Sequence, residues 1–407
     1  MPLRITPPTP KPCADCGSSP TFHSTAWIES ILGLLANGRT KDHSPRTHSP
    51  TSRLEKAFIR QLPYIFRAMK KVGLAEITSE ADERDFKWTT EFLFMEAKHR
   101  GITLVQLRPF GLVIDLFHAT KGNAEITFER LPLPKETDRG APWIDDKGAL
   151  KKILQKHDVA TPHGSAHITL HKALRAFHGL TKPVIVKPGR GSGSRHTTLH
   201  IHKVDEFIEA FKRAKKLSLT VMVEEEMSGA VYRPTVVGGK LIATLKREQP
   251  FVVGNGVASV RELIEKENQH PKREGPMFSK ISISDEVIKE LERQGLTPES
   301  ILPHGKKVQL HQKINWSVGG TTTDVTNQVH KENRMLFEAI AKLAGAPIIG
   351  IDFIIDDISK SWREQERCGV IECNSLPFFD NHHLPFHGEP QDVVGAIWEQ
   401  AFPGSEK

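Results

Sequence analysis

Two apolar, β-branched runs in this chain carry oxygen-bearing side chains: Ile351-Asp352-Phe353-Ile354-Ile355 and Val370-Ile371-Glu372-Cys373-Asn374. Both read as strands. A carboxylate buried in such a run is costly unless a cation or hydrogen bonds compensate it. The pair therefore confines the chain to folds that bring something positive to two neighbouring strands. Strand side chains alternate, so Glu372 and Asn374 share a face. With Asp352 on the next strand they would present the hard oxygen ligands that Mg²⁺ takes while it also holds nucleotide phosphates. Two strand-end acids facing water remain the alternative until the rest of the chain is read.

The run Val184-Ile185-Val186-Lys187-Pro188 ends in a lysine and leads into Gly189-Arg190-Gly191-Ser192-Gly193-Ser194-Arg195. Glycines let backbone N–H groups approach a polyphosphate closely, and lysine and arginine add charge. The phosphate loop G-x-x-x-x-G-K-[ST] is absent, and the glycine spacing does not make a dinucleotide fingerprint that opens a helix. An ordinary surface turn has a similar composition.

Next come Val221-Met222-Val223-Glu224-Glu225, then Tyr232-Arg233, then a basic strand from Lys240 to Arg247. The order is lysine strand, glycine loop, acid-ended strand, two basic strands, Asp strand and Glu-x-Asn strand. In this it resembles the ATP-grasp enzymes. Residues 231–329 resemble the ATP-grasp module of the cyanophycin synthetases most closely. The likeness rests on Val252-Val253-Gly254-Asn255-Gly256, on Ser259-Val260-Arg261-Glu262-Leu263-Ile264, and on Asn268 with Pro271-Lys272-Arg273. It continues through Asn315-Trp316-Ser317-Val318-Gly319-Gly320-Thr321, Asp324, Thr326 and Val329-His330. It covers roughly residues 141–402, and similar blocks occur in N-acetylglutaminylglutamine synthetase and in the glutathione synthetase half of the bifunctional enzyme.

The resemblance implies a role for each matching position. Lys151 and Lys187 match the lysines on the α- and β-phosphates, and Gly191, Ser192 and Gly193 lie in the loop that folds over them. Glu224 and Glu225 match the hinge strand, where backbone groups read adenine and a carboxylate reaches the ribose. Arg247 matches the basic residue near the γ-phosphate, which makes Arg247 and Lys187 the catalytic pair. Asp352, Glu372 and Asn374 match the ligands of Mg²⁺, expected as two ions with Mn²⁺ as a substitute. Arg233, Asn315, Gly319 and Gly320 match the acceptor side. The family's acid shortly before the Tyr-Arg pair is replaced here by Ala230 or Val231, and Cys373 stands where an apolar residue is common. The murein-ligase-like second half of cyanophycin synthetase does not follow within this sequence, so a single ligation is expected: a carboxylate is phosphorylated by ATP and the acyl phosphate is taken by an amine. Phosphorylation without ligation and a catalytically idle nucleotide-binding module are the alternatives.

Composition fits that reading. At 407 residues, two or three packed units are expected. No apolar run is long enough to span a bilayer, and the N-terminal residues lack the apolar core of a signal peptide, so a cytoplasmic protein without membrane partners is expected. The net charge of +7 suits anionic ligands. Without an aromatic-and-basic recognition motif it does not indicate nucleic acid. The expected partners are amino acid or peptide substrates, with a homo-oligomer left open.

The expected fold class is α/β, with α+β lobes clasping ATP between two antiparallel sheets. Residues 1–57, rich in Pro, Ser, Thr and His, read as a flexible tail with one short helix at 26–35. Residues 58–140 read as a small preceding α/β domain, with helices at 62–72 and 89–99 and apolar runs at 102–107 and 112–117. The lobes are expected at 141–225 and 226–402, with an insertion at about 250–310. Helices are expected at 146–157, 204–216, 262–268, 285–294 and 331–344. Cys13 and Cys16 with His23 make half a zinc site, but the second cysteine pair is missing, so the segment reads as ordinary and exposed. His196, His200 and His202 read as half-exposed strand positions. His382, His383 and His387 read as solvated or satisfied residues of a Pro-containing loop, or as neighbours of the substrate.

Overall fold

The computed structural model describes residues 13–16, 21–38, 53–81, 87–133, 141, 143–190, 195–275 and 277–405. Inside the stretch expected to be a tail, helix α1 (His23–Gly38) is docked. Trp27 Nε1 donates to the carbonyl of Lys215 at 3.1 Å, and Ser30 Oγ meets Ser218 Oγ at 3.0 Å and accepts from the Leu219 amide at 3.0 Å. The helix expected at 26–35 is thus present and packed, an indole and a hydroxyl having partners 188 and 189 positions away, while residues 1–12, 17–20 and 39–52 of the expected tail lie outside the described residues.

The preceding unit comprises α2 (Arg53–Lys71), β1 (Ala75–Thr78), α3 (Lys87–His99), β2 (Thr103–Pro109), β3 (Leu116–Lys121) and β4 (Ala124–Glu129). Its four strands form an antiparallel sheet in chain order. Lys121 pairs with Ala124 across Gly122, whose φ of +57° suits a two-residue hairpin turn. The strand expected from residue 112 starts at Leu116, because Leu112 and Ile114 are exposed.

The first lobe contains α4 (Lys147–Lys156), β5 (Gly164–His167), α5 (Leu170–Gly179), β6 (Val184–Pro188), β7 (Thr198–Ile201), α6 (Val204–Lys215) and β8 (Val221–Glu225). Its sheet is antiparallel in the order β5-β8-β6-β7. Helix α6 buries Phe207, Ala210, Phe211 and Ala214, the i, i+3, i+4, i+7 stripe of an amphipathic helix, against Val184, Val186, Val221 and Val223. His196 precedes β7 rather than lying in it. It is 1% exposed, with φ at +53°. Cys16 is 3% exposed, so the expectation of an ordinary exposed cysteine segment is corrected as well.

The second lobe holds β9 (Ala230–Val237), β10 (Lys240–Glu248), β11 (Phe251–Val253), α7 (Val260–Glu267), α8 (Asp285–Arg293), β12 (Lys307–Gln309), β13 (Thr321–Asp324), α9 (Lys331–Ala344), β14 (Ile348–Ile355), β15 (Gly369–Asn374), α10 (Asp380–His383) and α11 (Val393–Ala401). A five-stranded antiparallel sheet runs β13-β10-β9-β14-β15. All eight residues of β14 are buried because both faces of the sheet are covered. On one side Leu336, Phe337 and Ile340 of α9 and Ile153 and Leu154 of α4 pack on Ile349, Ile351 and Phe353. On the other, Phe117, Phe128 and Trp398 join Val237, Ala243 and Ile348, which fastens the preceding unit to this sheet. Each buried Val, Leu, Ile or Phe among them contributes about 1.5–3 kcal/mol. The strand pair β11-β12 with α7 and α8 has its own core of Val252, Leu263, Val287, Leu291 and Val308.

Candidate active site

Register places the acids. In the β14-β15 pair Asp352 stands directly opposite Glu372 and Gly350 opposite Asn374, with an irregularity just after Asp352. Arg233 of β9 grips Asp352 with two bonds: Nε donates to Oδ1, and Nη2 donates to Oδ2 at 2.8 Å. Arg247 of β10 approaches the same carboxylate, Nη1 to Oδ1 at 3.5 Å, while its Nη2 donates to the carbonyl of Ile314 at 3.2 Å. Burial pushes the Asp352 carboxyl up, and Arg233 and Arg247 overcome it and hold the group below the usual carboxylate range. Burial also pushes both guanidinium groups down. Asp352 more than restores Arg233, whereas Arg247, farther away and beside Arg233, stays lowered.

A second buried acid organises the lysines. Ile185 pairs with Glu224 between β6 and β8, so Lys187, two residues on, lies diagonal to Glu224 on the same face. Glu224, 3% exposed, accepts from Lys151 Nζ at 2.6 Å through Oε2 and from Lys187 Nζ through Oε1. Burial raises the Glu224 carboxyl, and Lys187 and Lys151 bring it below its usual value. Burial lowers the Lys151 ammonium group against the pull of Glu224. One turn before Lys151, Lys147 reaches Glu372 Oε1 at 3.5 Å. Asp146 caps α4, accepting from the Gly148 and Ala149 amides, and its other oxygen faces Arg190 Nε at 3.1 Å.

Between the two sheets lies a cleft of about 570 Å³. Lys187, Ile185 and Leu199 line it from the first lobe, and Arg247, Asp352, Ile354, Ile371 and Glu372 from the second.

Comparison with known proteins agrees. The cyanophycin synthetase of Nostoc sp. (strain PCC 7120) is 32% identical over 324 residues, 78% of this chain and 35% of that protein. The cyanophycin synthetase of Synechocystis sp. (strain PCC 6803) is 35% identical over 266 residues, 63% of this chain and 30% of that one. The crystal structure of a bifunctional glutathione synthetase from Pasteurella multocida superposes with a TM-score of 0.57 at 27% identity, covering 77% of this chain and 43% of that one. The chain has the ATP-grasp fold. No family model matches it, and it spans about a third of the length of these cyanophycin synthetases.

In this ATP-grasp cleft the residues expected from sequence are distributed unevenly. Lys187, Arg247, Asp352 and Glu372 line it, and Lys151 and Glu224 join it through Lys187. Arg233 joins through Asp352. Gly191, Ser192 and Gly193 lie outside the described residues. The Glu225 carboxylate accepts from the Thr181 amide at 2.8 Å and does not line the cleft. Asn315 caps a short turn, accepting from the Ser317 amide at 3.0 Å, and Gly319 at φ +93° and Gly320 close it. That turn follows Ile314, whose carbonyl holds Arg247.

Arg190, named from sequence as part of the charge of the glycine loop, lines the cleft, and so do Lys147 and Glu226, which sequence reading missed. Lys147 was findable, since it shares a helix face with Lys151 at i, i+4. Glu226 takes the His200 amide at 2.8 Å and its ring Nδ1 at 2.9 Å, a pairing that spacing does not reveal. His382 is buried against Thr235 Oγ1 at 2.8 Å, and His383 Nε2 accepts from the Val394 amide at 3.2 Å, so both brace the sheet and α11.

The donor set suits the magnesium that the fold family implies. Asp352 and Glu372 are opposed hard carboxylates, each with lone pairs to spare beyond its arginine or lysine contact. Asn374 is half-buried, and its buried Nδ2 meets no protein partner. Only its amide oxygen could ligate a cation, which leaves the Nδ2 donor for an acceptor from outside the chain, such as a phosphate oxygen.

Proposed function

We propose that the chain uses ATP to join an amino acid or peptide carboxylate to an amine through an acyl phosphate, releasing ADP and phosphate. The observation that carries this is the convergence of Lys147, Lys187, Arg190 and Arg247 on one cleft whose floor holds the Asp352–Glu372 pair. Polyphosphate needs that density of fixed positive charge, and phosphoryl transfer needs little from the protein beyond positioning and charge.

Lys151 and Lys187 orient the α- and β-phosphates, and Ile185, Met227 and Ile354 offer apolar walls for the base. Lys187 and Arg247 stabilise charge on the transferring group. Magnesium, as two ions with Mn²⁺ as a substitute, would be held by Asp352, Glu372 and Asn374 and neutralise the β- and γ-oxygens when bound. The turn of Asn315, Gly319 and Gly320, tied to Arg247 through Ile314, borders the acceptor side with Arg233. Amine attack on the acyl phosphate needs no side-chain nucleophile. Amino acids or short peptides are the substrates of this reading, and cytoplasm its setting; among the described residues no helix is long and apolar enough to cross a membrane.

Hydroxylamine tests it. With ATP, Mg²⁺ and pools of amino acids or short peptides, the protein is expected to form a hydroxamate while ADP and phosphate appear together. A γ-phosphoryl label retained on an acid-stable small molecule, with no hydroxamate, would replace ligation by kinase chemistry.

A further inference from the structure

The N-terminal cysteines, half of a site by sequence, are completed by two histidines. Sγ of Cys13 and Cys16 and one ring nitrogen each of His23 and His196 all lie within 4.8 Å of one another, the one such cluster of three or more among the described residues. Cys16 Sγ is 3.4 Å from His23 Nε2 and 3.4 Å from His196 Nε2, and Cys13 Sγ is 3.7 Å from His196 Nε2. A tetrahedral ion with bonds of about 2.3 Å to sulfur and about 2.05 Å to nitrogen separates a sulfur from a nitrogen by roughly 3.6 Å. The observed edges are those of that tetrahedron.

The surroundings are built for ligands rather than for thiols in water. The Cys16 amide donates to the Cys13 carbonyl at 3.0 Å, closing a tight turn that brings both sulfurs to one side. His196 Nδ1 lies 2.8 Å from the carbonyl of Arg213 and so carries its proton there, which leaves the Nε2 lone pair directed at the sulfurs. The His196 amide donates to the Asp15 carbonyl at 3.0 Å, and the Asp15 carboxylate faces Arg213 Nε at 3.1 Å and Lys216 Nζ at 3.7 Å. The turn is thus anchored to α6 by groups that are not ligands themselves.

We infer that Cys13, Cys16, His23 and His196 hold a structural Zn²⁺. Two thiolates and two imidazoles in tetrahedral array select zinc over the hard cations, and four protein ligands leave no open position for chemistry. The ion ties the start of α1 to the residue that follows Arg195, where the glycine loop ends. Thr21 and Ala26, on either side of His23, line the cleft together with Arg195. The zinc therefore fixes one wall of the cleft, whatever reaction the cleft performs.

The test uses the full chain and metal alone. Protein expressed with zinc in the medium and freed of loose metal by gel filtration is expected to contain one zinc per chain by elemental analysis. After chelator treatment it should bind one Co²⁺ with the visible bands of a tetrahedral site and a thiolate-to-cobalt charge-transfer band whose intensity reports two sulfurs. Cys16→Ser is expected to cut bound zinc to below about 0.1 per chain, whereas Cys368→Ser leaves it at one. Should Cys16→Ser fail to fold, the cobalt titration of the unaltered chain decides the matter by itself. Full zinc retention by a folded Cys16→Ser protein would overturn the assignment. So would metal-free wild-type protein that takes up no cobalt, a cobalt spectrum without thiolate character, or a Cys13–Cys16 disulfide in protein purified under reduction.

Discussion

Glu224 shows what single residues in this chain do that spacing along the sequence does not reveal. Lys151 and Lys187 were expected as phosphate lysines because they match the family's positions. That both contact one buried carboxylate, 73 residues from Lys151, was not, because the pairing depends on a sheet register. The same holds for Arg233, whose partner Asp352 is 119 residues away. Lys151→Ala leaves a buried acid with one cation instead of two, so it is expected to lower unfolding free energy by about 3 kcal/mol and to weaken nucleotide binding. The neighbouring Lys152 is exposed, and Lys152→Ala should stay within about 0.5 kcal/mol of the parent with binding unchanged. Urea unfolding and nucleotide titration of the two variants check this, and equal losses would refute the placement of Lys151.

Helices were the elements most readily seen. The expected helix at 331–344 coincides with α9, and those at 262–268 and 285–294 shift by two residues or fewer, because an apolar stripe with a period near 3.6 and a capping residue such as Ser259 mark them locally. Strands such as β5, Gly-Ser-Ala-His, were not seen, since four small or polar residues carry no alternating pattern and gain their place from β8. The 315–320 turn was legible as a motif but not as a brace. A Cβ on Gly320 would lie 2.8 Å from the Asn315 carbonyl oxygen and 2.9 Å from that of Glu248, two backbone atoms with little room to yield. Gly320→Ala should therefore destabilise the protein by about 1–3 kcal/mol and reduce turnover further by moving Ile314, which holds Arg247. Unfolding and single-turnover assays measure the two effects, and a variant normal in both would contradict the role given to the turn.

Across the whole molecule, the two sheets and the cleft between them were expected, whereas the packing of the preceding unit on the five-stranded sheet was not, because Phe128 and Trp398 meet only in three dimensions. This packing bears on global stability through His382, which burial, with Arg233 and His383 nearby, lowers from 6.5 to about 3. Above pH 6.5 neither folded nor unfolded His382 carries a proton. As pH falls from 6.5 towards 3 the unfolded chain gains one that the folded chain refuses, so folded stability declines by about 1.4 kcal/mol per pH unit from this group. Unfolding free energies from urea titrations at pH 6.5 to 4.5 should converge with those of His382→Gln, narrowing their difference by about 2–3 kcal/mol; parallel curves would rule the effect out. The Glu224 carboxylate between Lys151 and Lys187 has a wider consequence. An anion entering the cleft does not meet bare charge but exchanges with a resident anion. Its affinity therefore reads a difference between two ion pairs, and added salt, which weakens both, should change that affinity less than the number of lysines would suggest.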